Sequence, residues 1–128
     1  MYYRRKVLLK TMEKFGGKLE AISLQKLLFL LSKNQIIASY EFIPYKYGCF
    51  SFQAQQDLNT LQKYGHVAQD EKYWTLILGL DELDWKFRGQ DLEKINQLYN
   101  RFRDYTSNDL IEYTYKKYPV LFLRRYWI

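Results

Sequence analysis

Cys49 and His66 are the only cysteine and the only histidine in the chain. A thiolate–imidazole pair or a transition-metal centre would have to be built from these two plus a carboxylate. Their separation matches no ligand or nucleophile motif with a known mechanism. The clustered acids Asp81, Glu82 and Asp84 read as a solvated loop. No G-x-S-x-G turn, phosphate-cradling glycine loop or H-E-x-x-H pair occurs. The sequence therefore predicts a protein that binds and is not an enzyme, with no catalytic residue, metal or cofactor assigned.

Hydrogen-bonding residues are more informative. Between Ser51 and Tyr64, the residues Gln53, Gln56, Asn59, Thr60 and Lys63 fall opposite an apolar stripe of Ala54, Leu58 and Leu61. Glutamine and asparagine can address adenine with two hydrogen bonds in a major groove. With the cations near the start, this defines a DNA-contact set of Arg4, Arg5, Lys6, Gln53, Gln56, Asn59 and Lys63. Against that reading, the segment carries only one cation, Lys63, beside one anion, Asp57, and the following turn holds Asp70 and Glu71. Lysine and arginine contacts to phosphate supply much of the affinity for DNA.

A second surface is aromatic. Tyr45, Tyr47, Phe50 and Phe52 crowd one short stretch, and aromatic anchors ringed by polar groups dominate protein interfaces. Tyr45, Lys46, Tyr47 and Gly48 form the partner-binding set. Gly48 reads as a position with φ > 0, and Phe50 and Phe52 read mainly as core.

The elements that must position these groups follow from spacing. A first helix is expected over about 2–15, with Leu8, Met12 and Phe15 on one face and Gly16-Gly17 as its stop; Arg4, Arg5, Lys6, Lys10 and Lys14 then read as a solvated face. The second helix is expected to start with Ser23 as its cap and to carry Leu24, Leu27, Leu28 and Leu31 through the middle of the core. A third helix, capped by Ser51 and stopped at Gly65, leads to strands at 66–68 and 73–77 joined by a four-residue loop, 69–72. A long helix around Leu92 to Phe102 follows, and then one capped within Ser107-Asn108-Asp109 that ends near Tyr118-Pro119. The fold expected is mainly α: a single domain with a winged-helix-like core over about 2–78, a small β-hairpin, and additional C-terminal helices over about 89–128.

At 128 residues the chain has room for one ordinary core. Its net charge of +6 is unevenly spread: +5 over residues 1–80, −3 over 81–115 and +4 over 116–128. Basic ends and an acidic band fit nucleic acid or a protein partner. One cysteine excludes a disulfide framework within the chain, which makes a cytoplasmic location the expectation. No apolar run approaches the ~20 residues of a membrane span, so no membrane partner is expected.

Two stretches carry a resemblance: LQKLLFLL at 24–31 and YEFIPYKYGCFSFQAQQDLNTLQKYGHV at 40–67. With Gln25, Lys26, Leu27 and Leu28 in the helix, Tyr47 and Gly48 in the turn, and Lys63, Gly65 and Val67 at the exit, the chain resembles the Panacea, or SocA-like, antitoxin-associated domain over about residues 4–78. The resemblance implies a mostly helical bacterial or phage protein that binds and neutralises a toxin, or regulates a defence-related neighbour, its partner encoded by an adjacent gene. The alternative is a winged-helix DNA-binding transcriptional regulator.

Overall fold

The computed structural model describes residues 1–45, 48–77 and 86–119. In these, five helices surround two small antiparallel sheets. Helix α1 (Tyr3–Lys14) buries Val7, Leu8, Leu9 and Met12 and stops at the two glycines. Its cations are not simply solvated: Lys14 lies over the Tyr99 ring, and Arg4 and Arg5 both lie over Tyr2. Part of the chain's complement of thirteen tyrosines thus serves as a platform for cations.

Strand β1 (Lys18–Glu20) follows at once and has no counterpart among the sequence expectations. It is a strand because β5 offers it an edge, with Leu19 opposite Trp74. Helix α2 (Ala21–Asn34) begins two residues before Ser23, and its N-cap, Glu20, provides no side-chain cap. The expected Ser23 cap is therefore corrected: inside the first turn, its hydroxyl pairs with that of Ser107 at 2.6 Å. Residues 24–32 of α2 are all buried, as expected for a helix apolar almost all round.

The stretch read as a turn leading to a helix is a hairpin, β2 (Ile43–Tyr45) paired with β3 (Gly48–Phe50). Helix α3 (Phe52–Lys63) then starts as expected, the Ser51 side chain accepting from the Ala54 N–H. Strands β4 (Val67–Asp70) and β5 (Tyr73–Leu76) complete the three-stranded sheet in the order β1-β5-β4. Pairing Asp70 with Tyr73 leaves a two-residue connection in place of the expected four. Glu71 takes the left-handed conformation there at φ 53°.

Helix α4 (Gly89–Phe102) and helix α5 (Ser107–Lys117) close over α1 and α2. Thr106 caps α5, in a reciprocal box with Asp109, one residue before the expected cap. Leu27, Leu28, Leu31, Leu58 and Leu61 share one buried cluster, which also takes in Ile95, Leu98, Phe102 and Leu110 of the C-terminal helices. Buried Asp91 ties these layers together, accepting from Tyr3 Oη at 2.6 Å and Gln35 Nε2 at 3.0 Å. The acidic stretch Asp81 to Asp84 and the apolar, basic stretch 120–128 lie outside the described residues.

Candidate docking site

Gln25 and Lys26 interrupt the apolar run of α2, and a buried polar group must find a partner. Both find one in the hairpin. The Gln25 side-chain amide donates to the Ser51 carbonyl at 3.1 Å, and its oxygen accepts from the Ser51 N–H at 2.9 Å. The Lys26 ammonium donates to the Cys49 carbonyl at 2.8 Å. These bonds fasten β3 and the start of α3 onto α2, so the hairpin is held from below by side chains.

The restraint shapes what lies above. Gly48 has φ 101°, a conformation a larger residue resists, in line with the sequence expectation. Tyr45 is 41% exposed and Phe52 53%. With Phe50 they make a three-ring cluster: centroids are 5.3 Å apart for Tyr45–Phe50, 5.3 Å for Tyr45–Phe52 and 5.0 Å for Phe50–Phe52. Assigning Phe52 to the core is therefore corrected, and Phe50 is half-buried. Placed as the first residue of α3, Phe52 turns away from the stripe of Ala54, Leu58 and Leu61. Lys46 and Tyr47 of the expected partner-binding set lie outside the described residues. Beside the rings, Ile22, Tyr45, Phe50 and Lys26 line an open, mainly apolar cleft of about 130 Å³.

The DNA-contact set divides. Arg4 Nε and Nη2 donate to the Asp57 carboxylate at 2.7 and 3.2 Å, Arg5 Nε donates to it at 2.9 Å, and the Tyr40 hydroxyl donates at 2.7 Å. Asp57 is fully buried. Reading Arg4 and Arg5 as a simply solvated face is thus corrected: both are drawn to an internal acid. Burial pushes the Asp57 carboxyl up, but the hydrogen bonds from Arg4, Arg5 and Tyr40 outweigh it and hold the group below its ordinary value. Burial first, and then Asp57, drive the Tyr40 hydroxyl well above the usual phenol range, keeping it a donor.

On α3, the Gln53 side-chain oxygen accepts from the Glu41 N–H at 3.0 Å, and the Asn59 oxygen accepts from Gln55 at 3.1 Å. Gln56, Asn59 and Lys63 are exposed, and Lys6 is half-buried. Structure places the two ends of the set on different commitments: the arginines with Asp57, the amides along α3.

Cys49 is buried and burial raises its thiol pKa, opposed by the nearby Lys26 charge. Among the described residues no cluster of three His, Cys, Asp or Glu side chains is arranged to hold a metal. No described helix is long and apolar enough to cross a membrane. The chain matches no family model, and no curated protein matches it.

Proposed function

We propose that the chain is a non-enzymatic protein-interaction module of the antitoxin type, built on a winged-helix-like core with helices packed behind it. The observation that carries this reading is the Tyr45–Phe50–Phe52 cluster, solvent-facing yet held on a hairpin clasped by Gln25 and Lys26. Rigid aromatic anchors lose little conformational freedom on binding. The order α1, β1, α2, α3, β4, β5, with the β2–β3 hairpin inserted between α2 and α3 and β1 as the third strand, supports the winged-helix reading. The antitoxin type itself rests on the likeness of 24–31 and 40–67, and makes the product of an adjacent gene the partner to test.

The experiment pairs the double variant Tyr45→Ala with Phe52→Ala against the wild type, in affinity measurements with that product and in thermal melting. Side chains this exposed should leave stability within about 1 kcal/mol, while loss of two aromatic anchors should weaken capture at least ~10-fold. Unchanged capture by a normally melting variant would place the docking surface elsewhere.

One observation favours the second reading, a DNA-binding regulator. The anion counted against α3, Asp57, is withdrawn from its surface and neutralised. The exposed positions Gln56, Asn59 and Lys63 are left without an exposed acid beside them on that helix. The same pairing occupies Arg4 and Arg5, which keeps docking to protein the leading function.

A further inference from the structure

Lys26 is 3% exposed, in the middle of the most apolar helix. Its stem packs in the core and its ammonium meets the Cys49 carbonyl. Among the described residues no carboxylate pairs with it: the ion pairs engage Arg4, Arg5, Lys10, Lys72, Arg103 and Lys116. An ammonium has three protons to donate, and one carbonyl accepts one of them. Burial disfavours the charged form and lowers the Lys26 pKa, with only the Cys49 contacts opposing. A buried charge without a counter-charge is costly, so an anion reaching this point would be met by an unspent donor.

The cleft beside the aromatic cluster leads there. Lys26 shares its lining with Ala21, Ile22, Tyr45 and Phe50. Gln25 also lines it, but both ends of its amide are committed to Ser51. Gln55 lines it too, with its amide donating to Asn59; among the described residues the lining thus combines one cation with mainly apolar walls. We infer that the cleft receives the C-terminal residue of a partner chain, its free carboxylate toward Lys26 and an apolar side chain against Ile22, Tyr45 and Phe50.

A chain terminus fits better than a small free acid because Tyr45 and Phe50 continue from the cleft into the exposed Phe52 ring. The residue before the terminus would lie on that ridge. This inference rests on the docking reading and names the chemistry of the bound segment.

The test titrates the full chain with three probes, read by amide chemical shifts: acetyl-Gly-Gly-Leu as the free acid, the same peptide as its C-terminal amide, and 4-methylpentanoate. The free acid should bind saturably and shift Lys26, Cys49 and Phe50, and the amide should bind at least ~10-fold more weakly. Lys26→Met should remove that difference. Equal affinity for acid and amide would overturn the inference and leave Lys26 as a clasp on Cys49. 4-Methylpentanoate binding as tightly as the peptide acid would overturn the chain-terminus assignment in favour of a small apolar acid.

If Lys26→Met fails to fold, the acid-against-amide comparison on the wild type decides alone. Absence of binding by all three probes, with partner capture still dependent on Tyr45 and Phe52, would refute this inference and keep the docking reading. Selective binding of the peptide acid, with partner capture indifferent to Tyr45 and Phe52, would support the cleft and refute the ridge.

Discussion

Replacing Asp57 with asparagine should destabilise the protein by about 3–5 kcal/mol, the cost of removing one partner from a buried ion pair. The carboxylate is wholly inaccessible and accepts four hydrogen bonds, three from guanidinium groups and one from Tyr40. Asparagine keeps the shape but removes the charge and turns an amide donor toward other donors. The Arg4 side chain keeps 34% of its surface exposed and can turn to water, whereas Arg5 keeps only 19%. Tyr40 retains the Arg4 carbonyl as an acceptor at 3.2 Å. These escapes place the expected loss toward the lower end of the range. Urea unfolding at neutral pH measures it, and Arg5→Met alone and combined with Asp57→Asn gives the coupling between the partners.

The same network predicts a pH dependence. A carboxyl whose pKa is depressed in the folded state contributes stability that is complete above its unfolded value, about 3.9, and is lost as pH falls through the folded value. Asp57 is depressed. The wild type should therefore lose stability more steeply below about pH 4 than Asp57→Asn does. An Asp57→Asn variant within about 0.5 kcal/mol of wild type, with the same acid limb, would refute the argument that α1 and α3 are joined through this acid.

Leu28→Ala should cost about 2–5 kcal/mol, because Leu28 is 1% exposed in the central helix; a loss under about 1 kcal/mol by urea unfolding would contradict its central place. Gly48→Val should cost about 1–3 kcal/mol through strain at φ 101° and expose Cys49 to a thiol reagent, whereas an unaltered melt and a protected thiol would remove the strain argument. Binding to duplex DNA should be weak, with a log–log salt slope below about 3 in magnitude, since Arg4 and Arg5 are engaged by Asp57. Nanomolar binding to one sequence at physiological salt, lost in Gln56→Ala with Asn59→Ala, would make the regulator the better reading.

Elements set by their own residues were legible in the sequence. The leucines of α2, the Ser51 cap and the Gly65 stop encode helices through contacts within a few residues. The existence of the β4–β5 hairpin, though not its two-residue turn, and Gly48 with its positive φ belong to the same class. The candidate site was half legible: the aromatic stretch marked itself by composition, but its three-ring packing did not.

What tertiary structure decided are partnerships across long separations. A three-residue segment such as Lys18–Glu20 has no strand preference strong enough to announce itself and becomes one only against the edge of β5. Ser23 reads locally as a cap, yet its hydroxyl meets Ser107, 84 residues away. Arg4 and Arg5 read locally as a basic surface, yet they converge on an acid 53 and 52 residues along the chain. Lys26 reads as one polar residue in an apolar helix, and only the hairpin laid across it shows what its ammonium faces. Periodicity records which side of an element is apolar, but the partner of a buried charge is chosen by which elements the core brings together.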